Sequence, residues 1–233
     1  EALCVDLQVF YNLSTNLTAF SRWATYADGE VTPELYANTG TGRTYGLELM
    51  LRRTPTPDSL FYGWIAYTLS RSLRREHPVG SSYLSAAGRV PYDGDATAEV
   101  LSNFDQTHIF TLVLQFLLPS GWELGGRLRL VSGNPTTPSE RGQTAYDADE
   151  DKYVLDITSV GRNSGRLPMF RQLDVRVEKT WLFDLWKLTG YLELINATNA
   201  ANVEQYAYDY RFRHKAAVTL LPIIPNIGIK GEF

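Results

Sequence analysis

The chain has 233 residues, a formal net charge of -4, 44% hydrophobic residues and 21% charged residues. This mild acidity argues against a nucleic-acid binder, which needs a basic face, and the single cysteine, Cys4, excludes an internal disulfide. No run reaches the roughly 18 uninterrupted apolar residues of a transmembrane helix, and Glu1–Cys4 lacks the basic-then-apolar layout of a signal peptide. Membrane strands are still allowed, since each needs only about 9–11 residues and every second one can be polar.

Taken in chain order, the sequence alternates apolar and polar residues in eight segments, which is typical of half-buried strands. The predicted strands are Val5–Asn12, Tyr45–Arg52, Phe61–Ser70, Phe110–Leu118, Trp122–Leu130, Gln172–Glu178, Leu188–Ile195 and Pro225–Phe233. The connections between them alternate between long and short. The short ones are Thr54–Ser59, Pro119–Gly121 and Leu182–Trp186.

This sorting of connections by length indicates the fold class. Membrane barrels place short turns at one end and long loops at the other, with an even number of strands and apolar residues facing outward. A soluble β-sandwich is an alternative fold for such strands, but it has no physical reason to sort its loops in this way. The sequence therefore predicts an all-β fold, a transmembrane antiparallel β-barrel. Residues 1–233 form a single barrel domain or part of one, and the polar segments Arg71–Asn103 and Ser132–Arg166 are its outer loops.

Charged residues recur on one face of the predicted strands. They would be costly inside a sandwich core, whereas a water-filled or plugged lumen accepts them. The residues predicted to line the lumen are Glu48, Arg52, Arg127, Arg129, Asp174, Arg176, Glu178, Glu193 and Lys230. The opposite, apolar face is predicted to contact outer-membrane lipid.

The last strand has the same pattern and stops on an aromatic residue. Ile227, Ile229 and Phe233 fall on one face, and Lys230 and Glu232 fall on the other. This resembles the closing strand of bacterial outer-membrane barrels, whose terminal Phe is recognised by the barrel-assembly machinery. The resemblance implies that Ile227, Ile229 and Phe233 form an assembly signal.

Five stretches extend the resemblance along the chain. They are Gly42–Glu48 (GRTYGLE), Asp105–His108 (DQTH), Ser132–Thr136 (SGNPT), Phe170–Arg176 (FRQLDVR) and Asn196–Asn199 (NATN). In this order, and closing on Gly231–Phe233, they resemble the C-terminal portion of a TonB-dependent outer-membrane receptor. The similar subgroup carries a carboxypeptidase-regulatory-like N-terminal extension (Oar-type).

This resemblance implies a 22-stranded barrel of which these are about the last eight strands. It implies uptake of a substrate through the outer membrane of a Gram-negative bacterium. The family's plug domain, through which TonB acts, has no counterpart in the chain, so TonB would be a partner only through that absent domain. The alternative is a complete eight-stranded barrel that acts as an adhesin or structural protein, since eight strands suffice to close.

No catalytic constellation emerges from the sequence, so neither an enzyme nor a cofactor is expected. His77, His108 and His214 lack metal-ligand spacing, and there is no nucleophile elbow or phosphate loop. Asp147, Asp149 and Asp151 alternate in a way that offers oxygen ligands to calcium, although a solvated acidic loop explains them as well.

A tyrosine-rich stretch precedes the last strand. Tyr206, Tyr208 and Tyr210 are candidate surface contacts for an unknown small-molecule, glycan or peptide ligand at the barrel mouth, because aromatic rings stack on such groups. Packing of these rings on one another is the alternative.

Overall fold

The computed structural model describes residues 3–20, 24–27, 30–33, 36–56, 58–75, 82–85, 88–91, 99–148, 151–156 and 161–233. Within these ranges the chain forms strands and two short 3-10 helices, Pro119–Gly121 and Ser139–Arg141. The strands are β1 (Leu3–Phe20), β2 (Ala24–Ala27), β3 (Glu30–Pro33), β4 (Tyr36–Arg53), β5 (Phe61–Arg75), β6 (Ser82–Ser85), β7 (Gly88–Pro91), β8 (Glu99–Leu101), β9 (His108–Leu118), β10 (Trp122–Val131), β11 (Pro135–Thr136), β12 (Gln143–Asp147), β13 (Lys152–Asp156), β14 (Gly165–Arg166), β15 (Phe170–Leu182), β16 (Lys187–Ile195), β17 (Val203–Tyr208), β18 (Lys215–Thr219) and β19 (Ile224–Glu232).

The eight long strands form one antiparallel sheet in which every strand pairs with its neighbours in sequence. The order is β1-β4-β5-β9-β10-β15-β16-β19, and the short β8 adds to β5. Each predicted strand lies within one of these eight, except that β19 ends at Glu232, one residue before Phe233, and the connections alternate between long and short as predicted. The all-β, antiparallel fold class is confirmed.

The sheet is open in the described residues. β1 pairs with β4, β19 pairs with β16, and no pairing joins β1 to β19. The alternative of eight strands closing on themselves therefore differs from the observed arrangement. Each outer edge of the sheet presents unpaired backbone N–H and C=O groups, which cannot face hydrocarbon without a partner.

The long connections contain more structure than the sequence predicts. They carry five two-stranded ribbons, β2–β3, β6–β7, β11–β14, β12–β13 and β17–β18. The long strands also run beyond the predicted alternation, because β1 continues to Phe20 and β4 begins at Tyr36. Most of the segment from 76 to 98, with His77, and the acidic residues Asp149 and Glu150 lie outside the described residues.

The register places the two kinds of side chain on opposite faces of the sheet. On one face Leu124 lies between Phe116 and Val177, and on the other Arg127 lies between Val113 and Asp174. The apolar face is exposed, with Val9 77% and Ile229 82% accessible. Within the described residues the buried hydrophobic side chains are only Ala19, Val131 and Ala200. The sheet thus has no apolar core of its own, unlike a soluble sandwich.

The lengths of four strands of the sheet fit a membrane wall. β9 has 11 residues, β10 has 10, and β16 and β19 have 9 each. A tilted membrane strand needs about 9–11 residues. No helix in the described parts of the chain is long and apolar enough to span a bilayer.

Candidate functional site

The polar face of the sheet carries a band of paired charges across β9, β10 and β15. Arg127 donates two hydrogen bonds, of 2.8 and 2.6 Å, to the carboxylate of Asp174 on the next strand. Gln115 Nε2 donates to Glu123 at 2.7 Å. Charge-assisted contacts of this kind are shorter and stronger than neutral ones, so they fix the side chains of the band.

The band continues towards the last strand. Arg176 donates to Glu178 at 2.8 Å, and its guanidinium lies 3.9 Å from the ring centroid of Tyr191. Gly228 faces that ring across the strand pair, where an added Cβ would collide with it. Lys187 and Lys230 both contact Glu232, at 2.5 and 2.7 Å. The absence of a side chain at Gly228 therefore leaves room for the tyrosine on which Arg176 stacks.

All nine residues predicted to line a lumen share this face. Glu193 lies opposite Arg176 and accepts a 3.4 Å bond from Asn226, while Arg129 lies over the ring of Phe170. Glu48 and Arg52 on β4 form no ion pair within the described residues. That the face borders a water-filled lumen stays a prediction.

Asp174 differs from the other eight because it is only 5% exposed. Besides Arg127, its carboxylate accepts a 2.8 Å bond from Gln172 and a 2.9 Å bond from the backbone N–H of Asn196. Asn196 follows β16, so Asp174 ties the end of that strand to β15. Nothing in the alternating pattern distinguishes this buried carboxylate from its exposed neighbours.

The residues predicted as an assembly signal lie at the free edge. Ile227 and Ile229 are highly exposed on the apolar face of β19. Phe233 is fully exposed, but its ring stacks on Trp186 at 5.7 Å, and Trp186 stacks in turn on Phe183 at 4.5 Å. The last residue therefore belongs to an aromatic stack at the short-turn end. Recognition by assembly machinery stays a prediction.

At the long-connection end, the sheet is held by a buried carboxylate. Asp105 is 1% exposed and accepts hydrogen bonds from the backbone N–H of Ser72 at 2.6 Å and from Thr107 Oγ1 at 3.1 Å. Arg166 completes the group with an ion pair to Asp105 and a 3.0 Å bond to the carbonyl oxygen of Gly133. The DQTH and SGNPT stretches, noted in the sequence only for their resemblance, thus meet here to anchor the loops.

The NATN stretch has a similar role. Asn196 and Asn199 have φ values of 53° and 49°, a left-handed conformation that asparagine tolerates better than most residues. The side chain of Asn196 bonds the backbone of Ala200 and Leu221, and Asn199 Oδ1 accepts from the N–H of Ile223. These bonds bring the chain back from the β17–β18 ribbon to β19.

A cleft of about 450 Å³ opens among these loops. Tyr206 and Tyr208 of β17 line it, together with Asn134, Asn163 and other residues of the β11–β14 region. Tyr210 is not part of its lining. The hydroxyl of Tyr210 donates to the carbonyl oxygen of Asp151, and its ring lies edge-on to Tyr153 at 5.3 Å. The structure therefore places two of the three predicted ligand tyrosines together.

A polar bridge holds the side of this cleft. Glu140 accepts a 2.6 Å bond from Lys215 and a 3.1 Å bond from the Tyr208 hydroxyl, so it joins the 3-10 helix Ser139–Arg141 to the β17–β18 ribbon. The bond from Lys215 lowers the pKa of Glu140, and the same bond raises the pKa of Lys215. Partial burial and the bond to Glu140 raise the pKa of Tyr208.

The described residues contain no group of three or more His, Cys, Asp or Glu side chains able to hold a metal ion. Of the residues considered as metal ligands in the sequence, Asp151 accepts a hydrogen bond from the Tyr146 hydroxyl. The Nδ1 atom of His108 lies 2.8 Å from the Tyr67 hydroxyl, within hydrogen-bonding distance. The calcium alternative for Asp147–Asp151 stays open, since Asp149 lies outside the described residues.

An antiparallel sheet with sequential pairing, one exposed apolar face, one charged face and connections sorted by length defines the wall of an outer-membrane β-barrel. Among solved structures the chain resembles the outer membrane transporter YddB from Escherichia coli, with a TM-score of 0.59 and 14% identity. The match covers 99% of this chain and 30% of the transporter chain. No protein-family model and no curated protein matches the sequence. At this identity the likeness shows the fold, that of an outer-membrane barrel.

Proposed function

We propose that this chain is the C-terminal part of the barrel of a TonB-dependent outer-membrane receptor that takes up a substrate into a Gram-negative bacterium. The observation that carries the proposal is the fold. Almost the whole chain superimposes on part of an outer-membrane transporter. The open edges of β1 and β19 fit a wider barrel whose other strands complete the pairing.

The polar face supports the proposal through its distribution of charge. In β10, β15 and β19 the charges are mostly paired within the wall, whereas Glu48 and Arg52 of β4 have no ion-pair partner in the described residues. A plug domain inside a wide barrel needs polar partners on the wall, because unpaired charges are costly once water is displaced. In this proposal β4 offers such partners, and the chain performs no catalytic step.

The test uses the full-length protein in its own outer membrane. Cells are fractionated, and the protein is followed by its shift on gels with and without heating and by crosslinking to TonB in intact cells. We expect a heat-modifiable outer-membrane protein several times larger than 26.3 kDa, the mass of this chain, that crosslinks to TonB. A matched strain without TonB controls for non-specific crosslinks.

The opposite result has a distinct signature. A mature outer-membrane species near 26.3 kDa with no crosslink to TonB would reject the receptor and favour a small barrel. A species found only in soluble fractions would reject both.

A further inference from the structure

We infer that the cleft at the long-connection end is a binding site for a neutral saccharide. The inference rests on the proposed function, because it names the class of molecule that the receptor would collect. The cleft volume of about 450 Å³ lies within the range of about 300–1,000 Å³ that is usual for ligand pockets. The cleft also lies among the loops, where binding residues concentrate on a rigid sheet.

β17 contributes four residues to the lining of the cleft, and its pairing with β18 is irregular beside them. Val203 pairs with Thr219 and Gln205 with Val218, so Glu204 is an extra residue in the ladder. A bulge of this kind locally changes the direction of side chains. The four lining residues are Glu204, Gln205, Tyr206 and Tyr208.

The asparagines of the cleft keep most of their hydrogen-bonding capacity for a ligand. Asn163 Nδ2 donates to the Oδ1 of Asn103 at 2.7 Å and to the carbonyl oxygen of Leu101, and Asn134 Oδ1 accepts from Gln106 at 3.1 Å. These bonds occupy the amide nitrogen of Asn163 and the oxygens of Asn103 and Asn134. Among the described residues the NH₂ groups of Asn103 and Asn134 and the side-chain oxygen of Asn163 have no hydrogen-bond partner, so they are left for a ligand.

This mixture of donors and acceptors matches sugar hydroxyls, each of which both donates and accepts. The ring of Tyr206 adds a flat apolar surface, on which the C–H face of a pyranose ring packs. Lys215 Nζ lies 4.4 Å from the centroid of that ring and is held by Glu140, which fixes the position of the ring. The cleft thus combines an aromatic platform with amides around it.

Charge and polarity select against other ligands. Glu204 is the charged residue in the lining, and the nearby ammonium of Lys215 is already paired with Glu140, so an anionic ligand would meet a net negative charge. Among the lining residues Pro135 and Leu167 are the apolar ones, and they offer little to the side chains of a peptide. A neutral saccharide needs neither a cation nor an apolar pocket.

The experiment measures binding to the full-length protein in detergent by saturation-transfer NMR. The probes are maltohexaose, cellohexaose, mannohexaose and xylohexaose, with hexagalacturonate as the anionic comparison and an uncharged hexapeptide as the peptide comparison. We expect saturable binding of at least one neutral hexasaccharide. We expect Tyr206→Ala to weaken it about tenfold, equivalent to about 1.4 kcal/mol.

Tyr210→Ala is the matched control, because Tyr210 lies on the same loop outside the cleft and should leave binding unchanged. Gln205→Ala is a second variant, at an exposed position, and it should also weaken binding. It keeps the test decisive if Tyr206→Ala impairs folding. Binding of no neutral hexasaccharide, or of hexagalacturonate or the hexapeptide alone, would overturn the inference. Equal effects of Tyr206→Ala and Tyr210→Ala would overturn it too.

The result separates this site from the proposed function. Saccharide binding without a crosslink to TonB would keep the cleft and reject the TonB-dependent receptor. A TonB crosslink without saccharide binding would reject the cleft alone.

Discussion

The body of the main sheet and its long-connection end are built by opposite rules. In the body the most exposed side chains are apolar, such as Val9 and Ile229, and neighbouring strands are joined mainly by backbone bonds. At the long-connection end the buried side chains include the polar Asp105, Asn163, Asn196 and Asn202 beside the apolar Ala19, Val131 and Ala200. The body therefore exposes its apolar face and buries almost no apolar core, while hydrogen bonds to buried carboxylates and amides hold the loops.

The strongest test of this comparison is to place a charged side chain on the apolar face of the sheet, where we expect the largest loss of stability. We expect Leu114→Arg to cost about 2–4 kcal/mol of folding free energy in bilayers, the usual cost of Arg near the midplane. Leu114 lies between Gly63 and Gly126, which offer an arginine no partner. Urea unfolding from lipid vesicles measures the cost.

Gln115→Arg is the matched control one residue along the strand. Gln115 lies on the polar face beside Glu123, so the new arginine gains an acidic neighbour. Similar losses for the two variants would contradict the assignment of the faces.

The second effect concerns the long-connection end. We expect Asp105→Ala to destabilise the protein by about 1–3 kcal/mol, because the N–H of Ser72 loses its acceptor in a buried place and the guanidinium of Arg166 loses its ion-pair partner. The loop between β10 and β15 should also become easier to cleave with trypsin in the folded protein.

The exposed Asp58, in the short connection after β4, provides the control for the loss of a carboxylate. Asp58→Ala should leave both the urea midpoint and the tryptic pattern unchanged. If Asp105→Ala behaved in the same way, the buried hub would have no role in holding the loops.

A smaller equilibrium effect is expected from deletion of Phe233. The residue is fully exposed, and its stack on Trp186 is worth about 0.5–1.5 kcal/mol. Stability in bilayers should therefore change little, whereas insertion should slow and leave protease-sensitive chain in the periplasm. Deletion in the full-length protein followed by cell fractionation checks this. Undiminished outer-membrane levels would reject the assembly signal.

The smallest effect is confined to the turn between β17 and β18. The side chain of His214 and the N–H groups of Arg213 and His214 bond Asp209, which lowers the pKa of Asp209 to about 2 from 3.8. A lowered pKa stabilises the turn above pH 3.8, and this contribution is lost as the pH falls towards 2. The amide shift of His214 should follow that titration, and Asp209→Asn should remove it.

The sequence predicted the eight strands and their faces because period two survives wherever one face of a strand is apolar and the other is polar. It placed Glu48, Arg127 and Arg176 on one face without knowledge of the register. The strand extensions beyond the apolar band, such as Tyr36–Thr41, were missed because both faces there are solvated and the alternation weakens. The ribbons β2–β3, β6–β7, β11–β14 and β12–β13 were missed for the same reason.

The site was less predictable than the sheet. Asp174 and Asp105 look like any other aspartate in the sequence, and their burial depends on donors that lie 22 and 33 positions away, at Asn196 and Ser72. Tyr210 could not be separated from Tyr206 because the turn after β17 directs it to another ribbon. The bulge at Glu204 leaves no signal in composition or period.

The strand order has a consequence for how the sheet forms. Because each long strand pairs with the next one along the chain, every contact in the wall closes a single hairpin, and the loop entropy of each step stays small. Such a meander can grow by successive zippering, with rates set by local contacts. In the wider barrel proposed above, the pairing of highest contact order is the one that closes the free edge of β19, so the kinetic barrier to a finished barrel is expected at that edge.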